Sequence, residues 1–341
     1  MPIFQLSDPR WLDFVQACGG ATPFHHPSWA ALIAHSYGHK AFALAYSNEH
    51  GQVLAGLPVV EIRGPLRGRR WVSLPFTDEC PVLTRSPIVK PDLIAALDAT
   101  RRRAGVASIE VRDSLQGSTT PPDPIAVTHR LRLQSDPDLV FGKSLRPSVR
   151  KWIARAEKDG VVVRRGDSSS ALTDTFYALH LKTRRRQGVP VQPRRYFDLL
   201  WARIIEQGLG FVLLAHAGDT PIAGAVFLAW RDTVIYKYGA SDAAYWDKHP
   251  NHLIMWSAIK WGCSNGFRTF DFGRSDFKSE GLRRFKKSWG SEESGLVYTT
   301  VGDKKALPSR GRLQDGLGVL IRRTPPLACR ILGELLYKYA A

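Results

Sequence analysis

Hydrophobic residues in the first half of the chain follow first a helical and then a strand period. Helical spacing predicts helices over about 9–17 and 27–36. Runs rich in β-branched and aromatic residues predict strands, which read in order HKAFALAYS, QVLAGLPVVEI and RRWVSLPF. A helix from Pro91 to about Arg103 and the short strands ASIEV and THRLRLQ complete this half. The predicted order is therefore two helices, three strands, one helix and two strands.

The second half repeats this order after a basic connector helix. Helices are predicted over about 170–186, 194–207 and 251–265. The predicted strands are GFVLLAHAG, PIAGAVFLAW, DTVIYKYGA, FRTFDFG and GLVYTTVG. We therefore expect an α/β (α+β) fold of two tandem domains, each a mixed central sheet flanked by helices.

The domain boundaries follow from the same pattern. With 341 residues the chain is long enough for two domains. We expect an N-terminal domain over 1–135, a C-terminal catalytic domain over 136–307 and a basic amphipathic tail over 308–341. The last helix of the tail has two interpretations: docking on the protein body, or peripheral contact with an acidic membrane.

The charge balance indicates a polyanionic partner. Lys and Arg number 48 against 31 Asp and Glu, which gives a formal net charge of +17. Nucleic acid, nucleotide diphosphates or an acidic membrane fit this charge, and solubility alone is the alternative. The four cysteines lie far apart and the histidines show no ligand spacing, so no metal site is predicted. The N-terminus shows no secretory signal pattern, which favours a cytoplasmic location.

Two basic segments are candidate anion-binding sites. Eight Lys or Arg lie between Lys143 and Arg165, and a helix capped by Ser144 would align Arg146 and Arg150 for phosphates. A solvated helix face is the alternative. In the second segment, Arg184 and Arg185 stand in the arginine run that ends one helix, and further arginines open the next, where the helix dipole disfavours them. An anion clamp explains this arrangement better than helix decoration.

A strand, loop and helix unit in DTVIYKYGASDAAYWDKHPNHLIM is the third candidate. Its substrate-binding candidates are Lys237, Tyr238 and Ser241 at the end of the strand and Asn251 as cap of the following helix. The free N–H groups at a helix start bind anions. An ordinary unit without a ligand is the alternative.

The segment GLRRFKKSWG is the fourth candidate. Its cations surround Phe285 just before a Ser-Trp-Gly turn. One of its lysines could point at a transferring carbonyl, because acyl transfer builds an oxyanion that a fixed cation stabilises. An ordinary basic loop is the alternative.

At these segments the chain resembles the FemAB-like branch of the GNAT acyltransferase superfamily, which includes the CelD-like acetyltransferase domain. The residues that carry the resemblance are LRPSVRKWIARAEKDGV, TRRRQGVPVQPRRYFDLLW, YKYGASD, NHLIMWSAIKWGCSNG, FDFG and GLRRFKKSWG. The resemblance implies two tandem GNAT-like domains. It also implies transfer of an acyl or aminoacyl group from an activated donor to an amine, often on a peptidoglycan precursor.

The resemblance also implies roles for particular residues. The family's F-K pair, which binds near the scissile carbonyl, resembles Phe285-Lys286. We expect Lys286 to stabilise the oxyanion. Independently of the resemblance, substrate, water or a carboxylate such as Asp271 could accept the amine's proton. Asp78 is a candidate for holding the acceptor, or a turn residue.

The donor stays open at this point. No bound cofactor is expected, and the co-substrate is aminoacyl-tRNA or acyl-CoA, although no R/Q-x-x-G-x-G/A motif for coenzyme A is present. The expected partners are therefore a phosphorylated donor, with tRNA as one form, and a cell-envelope precursor of peptidoglycan or polysaccharide. One alternative is an acyl-CoA-dependent N-acetyltransferase of exopolysaccharide or lipid biosynthesis. Another is a non-catalytic RNA- or membrane-binding protein with the same fold.

Overall fold

The computed structural model describes residues 1–64, 68–85, 93–115, 123–303 and 321–322. Of the predicted tail over 308–341, only residues 321 and 322 are included, so its predicted membrane contact lies outside the described residues. No helix in these ranges combines the length and the apolar character needed to cross a bilayer.

The elements of the first part of the chain are, in order, β1 (Ile3–Phe4), α1 (Pro9–Ala17), α2 (Pro27–Tyr37), β2 (Lys40–Ser47), β3 (Val53–Gly64), β4 (Gly68–Val72), β5 (Leu83–Thr84), α3 (Leu93–Ala104), β6 (Ser108–Val111) and β7 (Ala126–Arg132). Those that follow are α4 (Pro137–Leu139), α5 (Pro147–Lys158), β8 (Val161–Arg165), α6 (Tyr177–Gln187), α7 (Arg194–Leu200), β9 (Gly210–Ala217), β10 (Thr220–Trp230), β11 (Thr233–Ser241), α8 (Pro250–Ser264), β12 (Thr269–Ser275), α9 (Glu280–Lys287), β13 (Glu292–Leu296) and β14 (Thr299–Gly302). Wider π turns occupy Val140–Ser144, Ala171–Phe176 and Trp201–Ile205, and short 3-10 turns occupy Pro23–His25 and Ala243–Lys248.

The N-terminal unit comprises the described residues of 1–127 together with the segment 295–303. Its sheet has the order β1-β2-β3-β4-β6-β14, with β5 paired to β3. Strand β14, expected to close the C-terminal domain, pairs antiparallel with β6 here. The local pattern predicted the strand but could not predict its partner, because the choice depends on residues almost two hundred positions away in the chain.

The C-terminal unit comprises residues 128–294 and 321–322 of the described part. Its sheet has the order β13-β7-β12-β11-β10-β9-β8. Strand β7, expected in the first domain, lies between β13 and β12, and β8 follows the basic connector helix as a strand that was not predicted. Helices α5 and α8 pack against each other over this sheet, and α6 packs on β11.

The two units repeat one local arrangement. In the first, β4 runs parallel to β6 over three residue pairs, and α3 connects them. In the second, β11 runs parallel to β12 over three pairs, and α8 connects them. A helix is the usual connection between parallel neighbours. The predicted fold of two similar units, each a mixed sheet with helices, is confirmed.

The compact units divide the chain at other positions than the predicted domains. The change of unit falls between Val127 and Thr128, whereas residue 135 was the expected boundary. The described segment from Gly295 to Asp303 belongs to the N-terminal unit and not to the C-terminal one. Both differences follow from the exchanged strands β7 and β14, since a strand belongs to the sheet with which it is hydrogen-bonded.

Close contact between two strands in the N-terminal unit gives a test of this packing. A Cβ on Gly56 would lie 2.7 Å from the carbonyl oxygen of Leu44 and 2.8 Å from Cζ3 of Trp11. We expect Gly56→Ala to lower the free energy of unfolding by about 1–3 kcal/mol, as overpacking does. Denaturant unfolding measures the loss. Gly19→Ala is the control, because nothing lies within 4 Å of its added Cβ, and an equal loss in both variants would contradict the packing argument.

Candidate active site

The two parallel strands of the C-terminal unit separate soon after they pair. Strand β11 pairs with β12 only from Thr233 to Ile235, yet it continues beside β10 as far as Ser241. The register along β10 shifts between Val226 and Phe227, which leaves Lys237 in a bulge of β11. A bulge bends its strand and interrupts the ladder. The sheet is therefore open on the β12 side of β11, beyond the paired residues.

The bulge also gives two tyrosines different surroundings. Residues i and i+2 of a regular strand share one face of the sheet. Tyr236, before the bulge, packs near Phe227, whereas the Tyr238 hydroxyl lies 2.8 Å from that of Tyr196 and the Tyr238 ring packs against Phe197. The extra residue at Lys237 accounts for this change of face. The predicted substrate-binding residue Tyr238 thus packs among aromatic residues, and Tyr236 lies toward the opening.

Helix α8 begins beside this opening. Its N-cap is His249, whose φ of 49° is left-handed, and Pro250 occupies the first helical position. The predicted cap, Asn251, lies instead in the first turn. The start of a helix is electropositive and presents free backbone N–H groups. The predicted helix start is therefore present, with His249 as its cap, and anion binding there stays a prediction.

A cavity of about 340 Å³ lies at the start of α8. Side chains of β10, of the bulged strand β11, of the turn before α8, of α8 itself and of α9 line it. These residues are Ala225, Tyr236, Trp246, His249, Pro250, Asn251, His252, Ile254, Met255, Leu282 and Phe285. Of the predicted site residues, the cavity brings together Asn251 and Phe285.

The GLRRFKKSWG segment forms helix α9, where a loop was the alternative considered. Leu282 and Phe285 face the cavity. Lys286 is 3% exposed, and its Nζ donates hydrogen bonds to the carbonyl oxygens of Gly273 at 2.8 Å and Arg274 at 2.9 Å. Adjacent residues of a helix point about 100° apart. The predicted Phe-Lys pair is therefore divided between the cavity wall and the end of β12.

Asp271 lies at the same end of β12. Its Oδ1 accepts hydrogen bonds from the Gly273 N–H at 2.7 Å and the Thr128 hydroxyl at 3.2 Å, and its Oδ2 accepts one from Arg130 at 3.2 Å. Gly273, with a φ of 69°, thus connects the Asp271 carboxylate to the Lys286 ammonium. The two predicted catalytic residues act on one turn of backbone.

Two histidines at the start of α8 were not predicted as site residues. His252 lies in the cavity wall, where its ring packs against Phe285 and Trp289, and His249 stacks on Trp152 at 4.0 Å. Burial, and then the charge of His249, lowers the pKa of His252 to about 4, so its imidazole is neutral at pH 7. In the sequence, His249 and His252 are three residues apart at a predicted helix start, and they lie at its cap and in its first turn; this spacing could have pointed to the pair.

Part of the first basic segment makes hydrogen bonds within the protein and is not available to a ligand. Arg150 donates to the carbonyl oxygens of Gly142 and Leu145, both at 2.9 Å, and so holds the turn before α5. Helix α5 begins at Pro147 with exposed Arg146 as its N-cap residue, in place of the predicted cap Ser144. Neither arginine lines the cavity.

Of the arginine run at the end of α6, Arg186 contacts residues beside the cavity. Arg186 donates to the Ser241 carbonyl at 3.2 Å, and its guanidinium lies 4.6 Å from the centre of the Trp246 ring. Ser241 is buried and accepts a hydrogen bond from Trp246 Nε1 at 2.9 Å. Arg184 and Arg185 are half-buried in the last turn of the helix and do not line the cavity.

Asp78 belongs to the N-terminal unit. Its backbone carbonyl accepts a hydrogen bond from the Tyr298 hydroxyl at 2.7 Å, and its side chain is partly exposed. Lys237, in the bulge, lies 5.6 Å from the centre of the Tyr238 ring. Among the described residues, no cluster of His, Cys, Asp or Glu has a metal-binding arrangement.

Comparisons with known proteins show what this chain is similar to. Residues 143–287 match the family described as acetyltransferase (GNAT) domain. The crystal structure of FemX superposes with a TM-score of 0.71 at 18% identity, covering 92% of this chain and all of FemX. The structure of L-PGS from Bacillus licheniformis superposes with a TM-score of 0.58 at 12% identity, covering 94% of this chain and 99% of that one.

Two curated relatives match a shorter part of the chain. The lipid II:glycine glycyltransferase of Staphylococcus haemolyticus is 31% identical over 86 residues, which are 24% of this chain and 20% of that protein. The Staphylococcus aureus protein of the same name is 33% identical over 82 residues, which are 22% and 20% of the two chains. The match thus spans about a fifth of the relatives' length. The resemblance to the FemAB-like branch of the GNAT superfamily is confirmed.

Helix α9 is held in place by Glu293, and this gives a pH test. The Arg283 guanidinium donates two hydrogen bonds to the Glu293 carboxylate, at 2.8 and 2.9 Å, and Lys287 Nζ lies 3.1 Å from it. The hydrogen bond from Arg283 is the main reason that the pKa of Glu293 falls to about 2. A lowered pKa in the folded state means that the stabilisation is present above the unfolded pKa, about 4.3, and is lost as pH falls toward 2.

We therefore expect Glu293→Gln to lower the free energy of unfolding at pH 7 by about 1–2 kcal/mol. The difference from the unmodified protein should shrink as the pH falls below about 4, which unfolding curves over a pH series would measure. Exposed Glu292 is the control, and Glu292→Gln should leave stability nearly unchanged. A pH-independent difference for Glu293→Gln would contradict the ion-pair explanation.

Proposed function

We propose that this protein is an acyl- or aminoacyltransferase that moves an activated acyl group to an amine of a cell-envelope precursor. The carrying observation is the opening between β11 and β12, which has a bulge on one side and the start of α8 on the other. GNAT folds use such an opening to seat an activated acyl donor. The names of the curated relatives, lipid II:glycine glycyltransferases, support an aminoacyl donor and a peptidoglycan precursor.

The cavity at the α8 start is proposed to hold the donor and the incoming amine, with the donor's reacting carbonyl directed out of the cavity toward the end of β12, where Lys286 lies. Its apolar wall, with Met255, Ile254 and Phe285, excludes water from an ester or thioester. The helix start supplies positive potential for an anionic part of the donor. The neutral imidazole of His252 can accept a hydrogen bond from the incoming amine.

Lys286 and Asp271 are proposed to act at the end of β12. The amine nitrogen bonds to the donor's carbonyl carbon, the bond to the leaving oxygen or sulfur breaks, and the amine's proton leaves with that group or with solvent. A buried ammonium favours the oxyanion that forms in between, because its field is little screened. Asp271 already accepts three hydrogen bonds, so its proposed contribution is to fix the Gly273 turn that Lys286 also binds.

The main alternative is an acyl-CoA donor, and the GNAT family match supports it. A transfer experiment separates the two donors. Purified protein is incubated with radiolabelled acyl-CoA or with tRNA charged with a radiolabelled amino acid, each with a lipid-linked muropeptide acceptor. We expect label in the acceptor with charged tRNA. Transfer from acyl-CoA alone would favour the alternative, and no transfer from either would contradict the proposal.

Lys286→Met tests the proposed ammonium. Losing one oxyanion-stabilising group typically slows turnover about a hundred- to a thousandfold. The variant also leaves the Gly273 and Arg274 carbonyls without this donor, so turnover is to be measured well below its own melting temperature.

Lys287→Met is the matched control for that experiment. Lys287 is next in sequence and contacts Glu293, not the end of β12. Its loss should change turnover less than about threefold, which corresponds to under 1 kcal/mol. If Lys286→Met keeps more than about a third of normal turnover, Lys286 has a structural role only.

A further inference from the structure

Large apolar side chains are exposed around the mouth of the cavity. Nine such side chains are exposed in the described part of the chain, and three of them are Trp246 at 49%, Leu282 at 44% and Phe277 at 43%. Trp246 and Leu282 also line the cavity, so they form its edge. We call these three residues the cavity rim.

Phe277 extends the rim beyond the cavity wall. Arg283, which follows Leu282 on α9, donates through Nη1 to the Phe277 carbonyl at 3.3 Å. The same guanidinium lies 5.8 Å from the centre of the Phe277 ring. These contacts place Phe277 beside Arg283, in the first turn of α9. The rim therefore combines two side chains of the cavity wall with a third that lies beside α9.

Basic side chains flank the rim. The segment 276–287 contains five Lys or Arg against two acidic residues. Within it Arg283, Lys286 and Lys287 have partners inside the fold, whereas the side chains of Lys278 and Arg284 are exposed. On the other side, the guanidinium of Arg186 lies against the Trp246 ring.

Aromatic and aliphatic side chains beside Lys and Arg are the combination that binds the interface of an anionic bilayer. The apolar groups enter the boundary between headgroups and acyl chains, and the cations remain at the phosphates. The net charge of +17 favours the same partner. A membrane surface fits this edge better than a protein partner does, because exposed apolar side chains stand here beside exposed cations, whereas the core of a protein interface is depleted in charge.

We propose that the cavity rim, with Lys278, Arg284 and Arg186, docks this protein on an anionic phospholipid surface. The inference rests on the proposed function, because docking here would place the cavity mouth where a lipid-linked acceptor emerges from the bilayer. In this orientation the start of α8 and the first turn of α9 face the membrane.

Vesicle flotation without donor or acceptor tests the surface separately from the reaction. The full chain is mixed with vesicles of phosphatidylcholine alone, or of phosphatidylcholine with phosphatidylglycerol. We expect binding to the anionic vesicles only, and about tenfold weaker binding for the double variant Phe277→Ser with Leu282→Ser. Val162→Ser is the matched control, because Val162 is 50% exposed on β8, at the far edge of the sheet, and should bind as the unmodified protein does.

A second variant changes only charge, so that the test does not depend on whether the apolar rim variant folds correctly. Lys278→Glu with Arg284→Glu changes two exposed side chains and should remove the preference for anionic vesicles without lowering the melting temperature. The inference is overturned if the unmodified protein ignores anionic vesicles, or if both double variants float as the control does. Either outcome leaves the proposed transfer reaction intact, since a water-soluble acceptor fragment tests that reaction without any membrane.

Discussion

The separation of β11 from β12 is the constraint on which the site depends. Three residue pairs hold the strands parallel, after which the bulge at Lys237 bends β11. An open sheet would expose unpaired backbone groups, and unsatisfied polar groups are costly when buried. The start of α8 and the side chains of α9 cover this opening and leave a cavity. The same break in the strand pairing thus leaves backbone groups without a neighbouring strand and creates the cavity.

The site also requires that the backbone of β12 be held in place where β11 no longer pairs with it. Strand β12 loses its neighbour β11 after Asp271, so the backbone at Gly273 and Arg274 needs other partners. Asp271 binds the N–H of Gly273, and Lys286 binds the carbonyls of Gly273 and Arg274. A carboxylate and an ammonium therefore replace a missing strand. This explains why two charged side chains are buried here, and the proposed chemistry uses the field that the arrangement produces.

The Lys and Arg side chains of this basic protein fall into two groups, those bound inside the fold and those exposed to solvent. Several cations that looked available for a phosphorylated ligand have partners within the fold. Arg150 holds the turn before α5, and Arg283 and Lys287 hold Glu293. Other cations are exposed, among them Arg146 and Arg284. A charge run in a sequence therefore overstates the number of side chains that can meet a ligand, because acidic and carbonyl partners come from other elements.

The sequence by itself determined the element types, the repeated order and the candidate segments, since hydrophobic period, caps and turns are local properties. It also carried the resemblance that led to Phe285 and Lys286, and it showed Asp271 as a candidate carboxylate. Only the tertiary structure decided which sheet receives β7 and β14, that Phe285 and Lys286 face different ways, and that His252 lines the cavity. These outcomes depend on pairing and packing between distant segments, where many arrangements satisfy the same local pattern and only the folded chain selects one.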